Sequence, residues 1–128
     1  KLFPEEEFQF EVPSPELKLN VDRTQIEQIL INLLKNAREA CSRKSDKKIQ
    51  VKARKLSAGN TTLTISDNGE GILPDVLDKI FVPFFTTKTS GSGIGLSLCK
   101  QIMTLHEGSI NVKSEVGKGS SFILTFPK

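Results

Sequence analysis

Apolar and polar positions divide the chain into segments of two different periods. Residues 8–12, Phe-Gln-Phe-Glu-Val, alternate, and so does the 17–21 stretch Leu-Lys-Leu-Asn-Val. With Pro13 and Pro15 breaking the chain between them, these predict two short strands paired antiparallel. Asp22 followed three residues later by Gln25 fits a helix-capping pattern. Beyond it Ile26, Ile29, Leu30, Leu33, Leu34, Ala37 and Cys41 recur at steps of three and four, predicting a long amphipathic helix that ends near Ser42 and Arg43. Alternation returns over 49–53 and 63–65, with a turn at 57–60, predicting two more strands.

Pro74 early in the 74–80 stretch suits the first turn of a short helix. Residues 81–92 have no period and are rich in Thr, Ser and Gly, which predicts a mobile loop. Leu96, Leu98, Cys99, Ile102, Met103 and Leu105 predict a buried helix, with Gly108 placed as its C-terminal glycine cap. Strands at 110–113 and 121–126, joined by the turn Gly117-Lys118-Gly119, close the chain. The expected fold class is α+β: a two-layer sandwich with a mixed, mostly antiparallel sheet and three helices on one face.

At 128 residues the chain is one domain. Apolar types at 37% and charged types at 26% indicate a folded globular protein. No apolar run is long enough for a transmembrane helix, and no secretory signal opens the chain. The absence of an initial Met predicts a piece of a longer protein. A net charge of +3, with the basic residues spread along the chain, does not predict nucleic-acid binding. The group Arg43, Lys44, Lys47 and Lys48 reads as a solvated helix end and turn. Cys41 and Cys99 sit in apolar-periodic stretches without metal-ligand spacing and read as reduced core thiols. His106 is the single histidine and lies at a helix end beside Gly108, so neither a Ser-His-Asp set nor a histidine metal cluster is readily built around it. It reads as a structural histidine at a helix end, where a cation is favourable.

Four features exceed what such a scaffold needs. Asn32, Asn36, Glu39 and Arg43 follow one flank of the long helix. The two amides either cap neighbouring backbone or bind a hydrated cation through oxygen. Asp67-Asn68-Gly69-Glu70-Gly71 is either a hairpin turn or a carboxylate beside glycines that let backbone approach a flat ligand. Gly91-Ser92-Gly93-Ile94-Gly95-Leu96, with Lys88 upstream, is either a hinge or a phosphate cradle at a helix start. It is neither a P-loop nor a dinucleotide fingerprint. Gly117-Lys118-Gly119-Ser120 reads most simply as a hairpin turn.

In this order, over about residues 5 to 127, the four features resemble the ATP-binding catalytic domain of a sensor histidine kinase. That superfamily also holds the DNA gyrase, heat-shock chaperone and mismatch-repair ATPases. The 32–40 segment resembles the family's N box, Asp67-x-Gly69-x-Gly71 its first glycine box and 81–88 its F box. Gly91-x-Gly93-x-Gly95-Leu96 and Gly117-x-Gly119-Ser120 resemble the later glycine boxes. The resemblance implies a Bergerat-type fold that binds ATP and Mg²⁺.

The resemblance also implies residue roles. Asn36 would hold Mg²⁺ through its amide oxygen, and Asn32, Asn36 and Lys88 would be the catalytic positions. Asp67 would accept from the adenine amine, with Ala40, Gly69, Gly71 and Ile72 lining the pocket. Residues 82–92 would form a lid. Thr87, Lys88, Gly91, Gly93, Ile94, Gly95, Leu96 and Ser120 would complete the nucleotide site. A carboxylate facing the purine amine repels guanine's carbonyl, and an unpaired buried acceptor costs about 1–3 kcal/mol.

In the family's hydrolysing members a Glu stands four residues before the Mg²⁺ asparagine. Here Asn32 stands there, and an amide is no general base, which favours transfer over hydrolysis. The compact lid resembles the nitrogen-regulation type of kinase. The phosphoacceptor histidine of such kinases lies on a separate helical hairpin whose pattern His106-Glu107-Gly108 does not fit, so the expected acceptor and dimerisation hairpin precede Lys1. The expected partners are that hairpin and a response-regulator receiver domain, in a homodimeric parent. No nucleic-acid or membrane contact is expected, and the domain is expected to be cytoplasmic even if the parent is membrane-anchored. The competing readings are a gyrase- or chaperone-type ATPase, an anti-sigma-factor serine kinase relative, and a nucleotide-binding module without transfer.

Overall fold

The computed structural model describes residues 8–11, 21–83 and 95–127, the first of these as backbone only. The long helix, α1, spans Arg23–Ala40, and the Asp22 side chain caps it by accepting from the Gln25 N–H. Its buried stripe is Ile26, Ile29, Leu33 and Ala37, continued by Cys41 at the C-cap. The helix stops at Ala40, short of the expected 42–43, and the Ala40 carbonyl, left without a partner within the helix, accepts from the Glu70 N–H at 3.3 Å. Cys41, Ser42 and Arg43 turn instead.

The strands are β1 (Phe8–Glu11), β2 (Ile49–Lys55), β3 (Thr61–Asp67), β4 (Ser109–Glu115) and β5 (Gly119–Phe126). They form one sheet in the order β1-β2-β3-β5-β4. Four strands are antiparallel neighbours, and β1 joins β2 in parallel with Phe8 opposite Ile49. The expected pairing of β1 with residues 17–21 falls mostly outside the described residues.

Between β3 and β4 come a single-turn helix, α2 (Pro74–Leu77), and α3 (Gly95–Leu105). The α3 face built from Cys99, Ile102 and Met103 is buried with the α1 stripe against Ile65, Ile110, Phe122 and Leu124. Each such fully buried Leu, Ile or Phe contributes about 1.5–3 kcal/mol.

The end of α3 departs from expectation. Glu107, not Gly108, takes the left-handed conformation, with φ 60°. Its N–H bonds the Thr104 carbonyl while the Gly108 N–H reaches the Met103 carbonyl, the bonding of a Schellman cap. Gly108 is required for another reason: a Cβ there would lie 2.3 Å from the Thr125 carbonyl oxygen. His106 is structural, as expected, but holds the helix end as a neutral ring. Its Nδ1 donates to the Ile102 carbonyl at 2.9 Å, and its Nε2 accepts from the Asp22 N–H at 3.0 Å. The start of α1 is thereby tied to the end of α3. Both cysteines are buried and free, as expected. No described helix is long and apolar enough to cross a membrane.

Candidate functional site

The helix-covered face of the sheet changes character along the strands. One row across it is Ala53, Leu63, Leu124 and Ile110, and the next is Val51, Ile65, Phe122 and Val112. The third is Ile49, Asp67, Ser120 and Ser114. Three polar side chains therefore end an otherwise apolar face, where α1 terminates and the chain leaves β3.

Asp67 is half-buried, and burial pushes its carboxyl above the usual carboxylate range. Bonds from the backbone of Gly69 and Ser120 oppose that shift in part. The Gly69 N–H donates to Asp67 Oδ1 at 2.9 Å. The loop that follows is pinned at Glu70 and Ile72. The Glu70 N–H goes to Ala40, the Glu70 carbonyl accepts from the Gly117 N–H at 2.9 Å, and the Ile72 N–H donates to Ser114 Oγ at 2.8 Å. Asp67-Asn68-Gly69 is thus no hairpin turn, because β3 runs on into α2 and pairs with β5.

The glycines of this loop face protein. A Cβ on Gly69 would lie 2.5 Å from the Ala40 oxygen, and one on Gly71, at φ 79°, would lie 2.4 Å from the Glu115 oxygen. Their lack of side chains is required by the close approach of α1 and of the β4–β5 hairpin, a packing role beyond the ligand approach read from the sequence. Gly117-Lys118-Gly119 is the expected hairpin turn and does more. A Cβ on Gly119 would lie 2.0 Å from the Asp67 carbonyl oxygen. Ser120 is 6% exposed and sits opposite Asp67.

On α1, positions 32, 36 and 40 form one ridge at four-residue spacing. At one end Asn32 Nδ2 donates to the Gly95 carbonyl at 3.4 Å and lies 3.8 Å from Cys99 Sγ, while its Oδ1 accepts from Gln28 at 3.3 Å. At the other end Ala40 meets Gly69 and Glu70. Half-buried Asn36 lies between them. The structure thus brings Asn36, Ala40, Asp67, Gly69, Gly71, Ile72 and Ser120 to one end of the sandwich, with Gly95 and Leu96 starting α3 beside the Asn32 end of the ridge. Thr87, Lys88, Gly91, Gly93 and Ile94, and most of the expected lid, lie outside the described residues. Of the F box, Phe81 packs edge-on against Phe122 with ring centroids 6.5 Å apart.

Two residues of this region were not singled out from the sequence. Asn68 Oδ1 accepts from the Lys48 N–H at 2.9 Å and from the Cys41 thiol at 3.4 Å, and its Nδ2 donates to the Asp46 carbonyl at 2.8 Å. It fastens the α1–β2 turn to the end of β3. Ser114 is the second, and its signal was a polar residue on the inward phase Ile110, Val112, Ser114.

The family described as "Histidine kinase-, DNA gyrase B-, and HSP90-like ATPase" matches residues 21–128. The chain belongs to that family. Sensor histidine kinase ZraS of Salmonella typhimurium is 39% identical over 110 residues, covering 86% of this chain and 23% of the relative. Signal transduction histidine-protein kinase AtoS of Escherichia coli is 42% identical over 109 residues, covering 85% and 18%. Sporulation kinase D of Bacillus subtilis is 36% identical over 123 residues, covering 96% and 24%. The chain therefore spans a quarter or less of these relatives' length.

Among solved structures, the nucleotide-free catalytic domain of histidine kinase ThkA superposes with a TM-score of 0.82 at 36% identity. That match covers 94% of this chain and 79% of the other. Full-length ShkA in complex with AMPPNP gives 0.80 at 27% identity, covering 94% and 25%. ThkA in complex with the response regulator protein TrrA gives 0.76 at 34% identity, covering 94% and 34%. The α+β architecture expected from the sequence is that of histidine kinase catalytic domains.

Proposed function

We propose that this chain binds ATP with Mg²⁺ and donates the γ-phosphoryl group to a histidine on a separate dimerisation hairpin, as the catalytic part of a two-component sensor kinase. The observation that carries this reading is Asp67, a half-buried carboxylate at the end of an apolar sheet face, fixed by the Gly69 N–H and flanked by Ser120. Such a group is an acceptor suited to the amine of an adenine ring that covers the apolar rows behind it. Ala40 and Ile72 wall the base, and the start of α3 at Gly95 and Leu96 faces the phosphates, with Thr87, Lys88, Gly91, Gly93 and Ile94 in the same service.

The donor set suits a metal that is held mostly by others. No group of three or more His, Cys, Asp or Glu able to hold an ion occurs among the described residues. Mg²⁺ bound here would take one amide oxygen, from Asn36, and fill its shell with phosphate oxygens and water. It would neutralise charge on the phosphates. Asn32 stands where a hydrolytic base is needed but is an amide whose nitrogen donates to Gly95, so this chain leaves water unactivated and positions the phosphoryl group for a protein nucleophile. Transfer forms a bond from the acceptor imidazole nitrogen to the γ-phosphorus and breaks the bond to the ADP oxygen. The imidazole proton goes to solvent.

His106 is not the acceptor, since both ring nitrogens are engaged. The ThkA–TrrA complex supports a response regulator as the downstream partner. The parent is proposed to be a homodimer, with this domain cytoplasmic. The test is incubation with γ-labelled ATP, Mg²⁺ and a histidine-bearing hairpin domain. Acid-labile label on the hairpin is the expected result. Free phosphate without protein label would instead identify an ATPase, and neither product a nucleotide-binding module.

A further inference from the structure

The polar row on the inner sheet face contains a hydroxyl pair whose proton positions are dictated by its neighbours. Ser114 Oγ accepts from the Ile72 N–H at 2.8 Å. It also lies 3.1 Å from the Gly119 carbonyl oxygen, which only accepts, so Ser114 must donate there. A serine hydroxyl has one proton, and this bond uses it. The 2.8 Å contact between the Ser114 and Ser120 oxygens is therefore made by the Ser120 proton. Ser120, buried and opposite Asp67 in the register, is left with lone pairs alone on its remaining side. Asp67, as a carboxylate, also offers only lone pairs.

We infer that Ser114 is a positioning residue for base selection: it turns the Ser120 hydroxyl so that Asp67 and Ser120 present acceptors alone to the 6-substituent of a bound purine, whose amino group offers two N–H donors, favouring a 6-amino over a 6-oxo base. The inference rests on the nucleotide reading above and adds to it a residue on β4 that acts through Ser120. Without Ser114, the Ser120 hydroxyl is free to rotate and to donate to a 6-oxo group, and the row loses its single polarity. Threonine at 114 keeps the hydroxyl and suits a strand.

Calorimetric titration of the 128-residue chain with ATP and with ITP, at constant Mg²⁺, tests this. The two nucleotides differ at purine position 6 and in the N1 proton that follows from it. Ser114→Ala is expected to lower the ATP-to-ITP affinity ratio about three- to tenfold, the net worth of one hydrogen bond. Ser114→Thr is expected to retain the wild-type ratio. Should the alanine variant not fold, Ser114→Cys keeps the volume with a weak donor and is expected to shift the ratio in the same direction. A lowered melting temperature with equal loss for both nucleotides means a purely structural role and overturns the inference. So does a threonine variant that loses the ratio as fully as alanine. A wild-type chain that binds neither nucleotide overturns the nucleotide reading itself.

Discussion

Replacing Asp67 by Asn separates the folding role of this residue from the role in nucleotide binding proposed for it. The two side chains have the same shape, and the amide oxygen still accepts the Gly69 N–H that now reaches Oδ1 at 2.9 Å. What disappears is a charge that burial disfavours. The Asp67 carboxyl has its pKa raised in the folded protein, chiefly by desolvation, so the folded state favours the proton. The stability Asp67 contributes is present below the unfolded carboxylate pKa and is lost as pH rises through the higher folded value. At pH 7 the ionised group therefore opposes folding, and Asp67→Asn is expected to leave the melting temperature unchanged or raise it.

Stability of the variant relative to wild type should fall back as the pH is lowered and wild-type Asp67 takes up its proton. Binding behaves oppositely. A hydrogen bond to a charged acceptor contributes about 1.5–3 kcal/mol, so the variant is expected to bind ATP about 10- to 150-fold more weakly at pH 7. Calorimetry with ATP and Mg²⁺, alongside thermal melts at pH 7 and pH 4, reads both effects. Wild-type affinity in the variant, or a loss of more than about 2 kcal/mol of stability at pH 7, would refute the reasoning.

Other substitutions probe the rest of the frame. Asn36→Ala should remove the Mg²⁺ dependence of ATP binding, and titrations with and without the ion that still differ as in wild type would clear Asn36 of that role. Glu107→Gly should stabilise the protein by about 0.5–1 kcal/mol in urea unfolding, because φ 60° strains any residue with a Cβ. Gly119→Ala should destabilise by about 2 kcal/mol or more and weaken nucleotide binding, since its Cβ falls 2.0 Å from the Asp67 carbonyl oxygen. Cys99, whose thiol burial pushes up to about 11, should react with iodoacetamide at pH 8 only as fast as the fold opens. Mild urea should therefore accelerate labelling in step with unfolding.

Local pattern alone determined the helices and strands and the chemistry brought to them. The Asp22 cap and the stripe from Ile26 to Ala37 mark α1 because capping and the 3.6-residue period act within a few turns of chain. Alternation marks β2 to β5 for the same reason, and the order of asparagine and glycine motifs points to a nucleotide site. Tertiary structure decided the rest. It set β1 parallel to β2, engaged Asn32 with a carbonyl 63 residues away, and joined Ser114 to Ile72 across 42. It also gave Gly69, Gly71 and Gly108 their need for a missing side chain, through carbonyls of Ala40, Glu115 and Thr125. Such contacts depend on which distant segments the folded core brings within bonding reach, and a periodicity read over a dozen residues carries no information about that.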